Sequence, residues 1–287
     1  MSLPKLALEY LQYCESTKKS KHTITNYKLD LKKWISYQFG NKEISAGDVG
    51  ALKLIDLDKF VGSLSDKSAS TILRTVATIK SFYKYLHKYE LIRDNISINI
   101  TTPKKEKRNP KYLSVNEITK LINSPETMNI RHPQRDKAIL TMFVGTGIRL
   151  SELTNIKLSD IKDDMLRVIG KGNKERFVPL SERVQATIKK YLIVRPRCDD
   201  DALFITENKS KFNPTALTHL VKKYLKQAGL SEYSTHKLRH TAASEWYENG
   251  TDIREIQELL GHASISTTEM YTHSNKDKKS IVNNVRW

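Results

Sequence analysis

Apolar residues recur every three or four positions through most of the first hundred residues, which predicts helices with one buried face. The stretch KHTITNYKLDLKKWISYQF (21–39) has this period, and Thr23 is a suitable residue to cap its start. The four predicted helices cover residues 4–18, 21–39, 56–64 and 68–90. Helices joined by such short connections predict a small bundle.

The second half combines helical periods with one stretch of alternating apolar and polar residues. Ser114 and Glu117 stand three apart in front of an apolar run, which is the pattern of a capping box. The alternation lies in DMLRVIGKGNKERFVPL (164–180), and the GKGN at its centre is typical of a hairpin turn. Helices are predicted at 134–145, 181–193, 213–228, 235–249 and 252–260, with a short one around Tyr271. The predicted fold class is therefore mainly α, with a small antiparallel β-sheet in the second half.

A basic segment, TTPKKEKRNPK (101–111), separates the two halves. Its two prolines disfavour helix at the residues before them, so the segment should be an extended linker. It can lie along a phosphate backbone, although a linker that is merely solvated explains the same composition. Its cations are Lys104, Lys105, Lys107, Arg108 and Lys111. We predict one domain at 1–100, the linker at 101–111, and a second domain at 112–287.

The charge of the chain is strongly positive and is shared by both halves. The 287 residues include 49 basic and 32 acidic side chains, a net charge of +17. Up to position 110 there are 20 basic and 11 acidic residues (+9), and after it 29 and 21 (+8). This distribution favours a polyanionic partner held by two basic domains. A basic protein without such a partner is the alternative.

The sequence also carries information about compartment. No apolar run is long enough to cross a membrane, and the first residues lack the apolar core of a signal peptide. A cytoplasmic protein without a membrane partner is expected. Cys14 and Cys198 lie far apart in the sequence without metal-ligand spacing, so we expect two unpaired thiols.

Several polar side chains lie at the predicted junctions between elements. The stretch STHKLRHTAASEW (234–246) places His236, Arg239 and His240 on one side of a helix. The other junction residues are Arg149, Lys171, His262 and Tyr271. Guanidiniums hold phosphate oxygens bidentately, and a tyrosine is a feasible covalent nucleophile. No Asp, Glu or His cluster with metal-binding spacing accompanies them, so phosphoryl transfer without a metal or other cofactor is predicted.

Four segments, TGIRLSEL, GKGNKERFVPL, HKLRH and LLGHASISTTEMYTH, resemble the signature motifs of the tyrosine recombinase (phage integrase) family, especially its Xer-type members. The motifs stand in the family's order throughout the second half. The resemblance implies a two-domain DNA clamp, in which a SAM-like helical core-binding domain precedes the catalytic domain.

The resemblance also implies a role for each matched residue in DNA strand cleavage. Arg149 and Arg239 would hold the scissile phosphate, and Tyr271 would attack it to form a 3′-phosphotyrosyl bond. That bond would conserve energy, so the 5′-hydroxyl of a second strand could reverse the step.

Proton transfer and support are assigned to the remaining matched residues. Lys171 would protonate the leaving 5′-oxygen, with the nearby Lys174 as the rival for that position. His236 would help to take or return the proton of the tyrosine, and His262 would donate a hydrogen bond to a phosphate oxygen. The supporting residues are Glu152, beside Arg149, and His240, as a packing residue. The expected DNA-binding residues are Lys104, Lys105, Lys107, Arg108 and Lys174.

The resemblance implies double-stranded DNA as the partner and a tetramer that exchanges strands through a Holliday junction. The tetramer would consist of this chain alone or include a second recombinase, and an accessory DNA translocase or directionality factor is a further partner to consider. A C-terminal tail with an apolar face at Ile281, Val282 and Val285 would dock on the neighbouring subunit.

Xer-type dimer resolution is the favoured biological role, and a mobile-element or phage integrase or a transposon recombinase is its alternative. A type IB topoisomerase, a non-catalytic DNA-binding protein and a metal-dependent nuclease remain open as more distant alternatives.

Overall fold

The computed structural model describes residues 3–40, 42–104, 111–170 and 173–261. The chain divides into two compact units, Met1–Arg108 and Asn109–Trp287, and the division falls inside the predicted linker. Among the helices of the described ranges, none combines the length and the apolar character that a bilayer crossing requires.

Helices are the regular secondary structure of the first unit in its described residues. The long helices correspond to the apolar periods of the sequence, and a short 3₁₀ turn at Ile96–Asn99 follows them. The helices are α1 (Lys5–Ser16), α2 (Lys21–Phe39), α3 (Ala46–Gly50), α4 (Leu54–Gly62) and α5 (Ala69–Lys88). The predicted bundle is thus confirmed, with the short α3 as an addition. Since α3 buries only Val49, it has no apolar period to reveal it.

A buried aromatic core and one buried carboxylate hold the first unit together. Asp30 of α2 accepts hydrogen bonds from the Thr75 and Thr78 hydroxyls of α5 and pairs with Arg74. These donors satisfy a carboxylate that would otherwise be costly to bury. The largest buried aromatic side chains of this unit are Trp34, Tyr10, Tyr83, Phe60 and Phe82.

The start of α2 differs from the prediction. Ser20 is the N-cap, and its hydroxyl accepts the backbone N–H of Thr23 at 3.1 Å. Thr23 was the predicted cap, and that prediction is wrong because Thr23 already lies in the first turn. The apolar period begins several residues after the helix does, so it does not locate the cap.

The second unit combines helices with a small sheet. Its helices are α6 (Val115–Asn123), α7 (Pro133–Thr146), α8 (Leu150–Leu153), α9 (Glu182–Val194), α10 (Pro214–Gln227), α11 (Thr235–Glu248) and α12 (Ile253–Leu260). Its strands are β1 (Ile161–Lys162), β2 (Met165–Ile169) and β3 (Glu175–Pro179), and a 3₁₀ turn at Leu158–Asp160 precedes them. The predicted fold class, mainly α with a small antiparallel sheet, is confirmed.

The sheet has the order β1-β2-β3 and is antiparallel throughout. Strands β2 and β3 pair from Met165 with Pro179 to Ile169 with Glu175, as the predicted hairpin requires. Leu166 and Val178 face each other in this register, and both are buried. The alternation in the sequence therefore records one face packed on the core.

Helix α7 forms the centre of the second unit. Every residue from Ala138 to Thr146 is buried, and α6, α9 and α11 pack around the helix. Ser114 and Glu117 form the predicted capping box in front of α6, and Leu113 just before it donates its N–H to the Thr241 hydroxyl of α11. The start of α6 is thereby joined to α11, the helix whose Arg239 reaches the C-terminal end of α7, where the candidate site lies.

Candidate active site

Two helices, α7 and α12, end against each other at glycines with left-handed backbone. Gly147 follows α7 with φ 57° and Gly261 follows α12 with φ 64°. A Cβ atom placed on Gly147 would lie 2.8 Å from Cδ2 of Leu260, which is closer than the contacts that non-bonded carbon atoms make in proteins. Glycine at position 147 is therefore needed for the backbone conformation and for the contact.

Three arginines converge on three consecutive carbonyl oxygens at the end of α12. Arg176 Nε donates to the Leu259 carbonyl at 2.7 Å, Arg239 Nη2 to that of Leu260 at 2.5 Å, and Arg149 Nη2 to that of Gly261 at 3.1 Å. Carbonyls at a helix C-terminus carry partial negative charge and favour cations. The end of α12 therefore gathers three guanidiniums that lie far apart in the sequence.

Arg239 is held at both helix ends. Its Nη1 donates to the Gly147 carbonyl at 2.8 Å, in addition to the bond to Leu260. The residue is 3 % exposed, whereas the Arg149 side chain is 39 % exposed. Arg149 thus lies at the surface of the site, and Arg239 forms its floor.

Glu152 connects two of the arginines. Its carboxylate accepts Arg149 Nη1 at 2.8 Å and the Arg149 backbone N–H at 2.9 Å, so it also caps α8. Both terminal nitrogens of Arg176 donate to the same carboxylate, at 2.9 and 2.8 Å. Burial raises the pKa of Glu152, but the hydrogen bonds from Arg176 and Arg149 lower it more, to about 2. The carboxylate is therefore charged at neutral pH.

His236 and His240 lie one turn apart on α11, and the Ser234 hydroxyl caps the start of this helix. Their rings are in edge contact, with centroids 4.6 Å apart. Desolvation and the charges of Arg239 and Arg149 lower the pKa of His236. Desolvation, the neighbouring His236 and the charge of Arg239 lower the pKa of His240 to about 4. Both imidazoles are neutral at pH 7, and a neutral imidazole can accept a proton.

The described part of the site is a cluster of arginines and histidines around the Glu152 carboxylate, and its excess of positive charge suits an anionic ligand. The predicted residues that the structure brings together here are Arg149, Glu152, His236, Arg239 and His240. Lys171, His262 and Tyr271 lie outside the described residues. Within the described ranges, no three His, Cys, Asp or Glu side chains are placed to share a metal ion. The roles assigned to all these residues stay predictions.

The predicted DNA-binding residues are only partly described. Lys104 and Lys174 are exposed, and the Lys174 carbonyl accepts the Gly170 N–H at 2.8 Å in the β2–β3 turn. Lys105, Lys107 and Arg108 lie outside the described residues. Cys14 and Cys198 are free thiols, as expected.

Arg176 is the part of the site that the sequence interpretation missed. It lies on β3 two residues before the buried Val178, whereas the intervening Phe177 is 57 % exposed. An arginine on the inward face of an alternating strand needs a buried partner. The inward position of Arg176 in the alternating pattern of β3 was the signal in the sequence that could have identified it.

Comparison with protein families assigns both units. Residues 8–89 match the model of the phage integrase N-terminal SAM-like domain, which confirms the SAM-like prediction. Residues 111–278, more than half of the chain, match the phage integrase family.

Known relatives agree with this assignment. A tyrosine recombinase XerC of Caldanaerobacter subterraneus subsp. tengcongensis is 38 % identical, over 95 % of this chain and 84 % of the relative. A tyrosine recombinase XerD of Oceanobacillus iheyensis is 34 % identical, over 90 % and 89 %.

Solved structures show the same fold. The XerH site-specific recombinase bound to its difH substrate superposes with a TM-score of 0.72 at 25 % identity, over 88 % of this chain and 76 % of that one. A lambda integrase dimer bound to a core site superposes with a TM-score of 0.77 at 19 % identity, over 98 % and 100 %, which supports the fold alone. The chain therefore belongs to the phage integrase family of tyrosine recombinases.

Proposed function

We propose that this protein is a Xer-type site-specific recombinase that cleaves and rejoins DNA strands through a 3′-phosphotyrosyl intermediate. The observation that carries the proposal is the meeting of Arg149 and Arg239 at the end of α12, with His236 near enough for both charges to lower its pKa. In this arrangement fixed cations can face the charge that develops on a phosphate in transfer. The Xer names of the curated relatives support the substrate class and the type of reaction.

The chemistry follows from the positions of the donors. Arg149 and Arg239 would neutralise the phosphate oxygens while the Tyr271 oxygen bonds to phosphorus and the 5′-oxygen leaves. Lys171, which follows β2 in the sequence, would protonate that leaving oxygen. His236, neutral at pH 7, would accept the proton of the tyrosine, and His262 would donate to a phosphate oxygen. Because the phosphotyrosyl bond replaces the phosphodiester bond, rejoining needs no external energy source.

The assembly and the biological role are part of the same proposal. The two domains, 1–100 and 112–287, would enclose duplex DNA in the cytoplasm, and four copies would exchange strands at a Holliday junction. A solved lambda integrase with this fold is a tetramer bound to a Holliday junction. Among recombinase roles we favour dimer resolution.

A plasmid assay tests the proposal. Supercoiled plasmids with two copies of a candidate site are incubated with wild-type protein and with Tyr271→Phe, in EDTA. Wild type should yield recombinant circles, whereas Tyr271→Phe should bind the site with unchanged affinity and yield none. Relaxation without recombinants would indicate a topoisomerase, and equal behaviour of the two proteins would refute the assignment of the nucleophile.

A further inference from the structure

Arg176 occupies an unusual position for a charged residue. It lies on the inner face of β3, in register with the buried Val168 on β2, and its side chain is only 11 % exposed. Burial of a guanidinium is tolerated when its donors meet matching acceptors. The acceptors in this case are parts of the candidate site itself.

The contacts of Arg176 join three segments of the chain. Two of its nitrogens form a fork with both oxygens of Glu152, and its Nε donates to the Leu259 carbonyl. Its side chain also packs on Gly261, where an added Cβ would lie 3.3 Å from Arg176 Cδ. A bidentate pair fixes the plane of a carboxylate as well as its position. Arg176 therefore sets the orientation of Glu152 relative to the end of α12.

That orientation is passed on to Arg149. The Glu152 oxygens that Arg176 holds also accept the guanidinium and the backbone N–H of Arg149. Without Arg176, the carboxylate could turn away from Arg149 or draw its guanidinium deeper into the site. A displacement of about 1 Å in such a group can cost about a hundredfold in rate.

We propose that Arg176 is a positioning residue for strand cleavage, which acts through Glu152 to hold the Arg149 guanidinium against the scissile phosphate. It also anchors the β2–β3 hairpin and the end of α12 to the same carboxylate. This inference rests on the proposed function, in which Arg149 contacts the phosphate.

A double-mutant cycle tests this coupling. The substrate is a nicked suicide duplex carrying the sequence that wild-type protein captures covalently from a randomised pool. The full-length variants are Arg176→Gln, Arg149→Ala and the double variant, with single-turnover cleavage rates and DNA dissociation constants measured for each. Arg176→Gln should slow cleavage about 10- to 100-fold with affinity within about threefold of wild type. Added to Arg149→Ala, it should slow cleavage by less than about threefold, because the group it positions is gone.

Two further variants separate positioning from folding. Arg167→Gln removes a comparable arginine of β2, whose Nε and Nη2 donate to the buried Asp160, and should leave the cleavage rate near wild type. Arg176→Lys keeps the charge without the fork, so it should cleave more slowly than wild type and faster than Arg176→Gln. If Arg176→Gln does not fold, Arg176→Lys takes its place in the double-mutant cycle.

The outcomes distinguish this inference from the proposed function. Equal slowing by the Arg176 substitution in both backgrounds, or no slowing while Arg149→Ala is impaired, would overturn the positioning role alone. Absence of covalent capture by wild type, or normal cleavage by Arg149→Ala, would overturn the proposed function and this inference with it.

Discussion

Replacing Glu152 with glutamine removes the negative charge that Arg149 and Arg176 share and keeps the size of the side chain. The pKa of Glu152 falls from 4.5 to about 2 in the folded protein. At about 1.36 kcal/mol per pKa unit, the charged form contributes roughly 3 kcal/mol to stability at pH 7. Glu152→Gln should lower the free energy of unfolding of the second unit by about that amount.

The effect of Glu152→Gln on stability should depend on pH in a defined direction. Because the folded-state pKa is depressed, the contribution is fully present above about pH 4.5 and is lost as the pH falls toward 2. The gap between wild type and Glu152→Gln should therefore shrink from roughly 3 kcal/mol at pH 7 to roughly 1.5 kcal/mol at pH 3.

Hydrogen exchange along a urea series, read on peptides of the second unit, measures this gap without assuming that the two units unfold together. The exposed Glu232 of the second unit, changed to glutamine, is the matched control and should alter the stability of that unit by less than about 0.5 kcal/mol. A gap below about 1 kcal/mol at pH 7, or one that does not shrink in acid, would refute the reasoning.

Three other substitutions test separate parts of the structure. Arg239→Lys should keep DNA affinity and slow single-turnover cleavage about a hundred- to a thousandfold. The reason is that one ammonium group cannot bond to the carbonyls of Gly147 and Leu260 and also to a phosphate. Near-normal cleavage would contradict this expectation. Gly147→Ala should destabilise the second unit by about 1–3 kcal/mol, measured by urea unfolding, whereas Gly62→Ala, which meets no atom within 4 Å, should not destabilise the first. Changing Lys104, Lys105 and Lys107 to glutamine should weaken binding to all DNA sequences alike. The slope of log binding constant against log salt concentration should become shallower by about 0.9 per lost contact. A loss of affinity confined to one target site would argue against a linker on the phosphate backbone.

The sequence was informative wherever the pattern is local. The period of 68–90 and the alternation of 164–180 led to α5 and to the β2–β3 hairpin, since each records which face is buried. The motif at 236–240 likewise predicted a stripe on one helix, and α11 places those residues as expected.

Features that depend on distant contacts were not readable in the same way. Arg176 and Glu152 are 24 residues apart, so no helical or strand period links them. The gathering of three arginines at one helix end depends on how α8, α11 and β3 pack against α12, which single-sequence patterns do not encode. Thr23 shows the local limit, because Ser20 and Thr23 are both good capping residues and only the backbone decides between them.

The central claim is that a tyrosine of this chain bonds covalently to a DNA phosphate beside Arg149 and Arg239. Mass spectrometry of the covalent complex trapped on a suicide substrate tests it most directly, after digestion of protein and DNA. The account predicts a 3′-phosphonucleotide attached to Tyr271, formed in EDTA and absent from Tyr271→Phe. A nucleotide attached to any other residue, or to the 5′ side of the break, would contradict it.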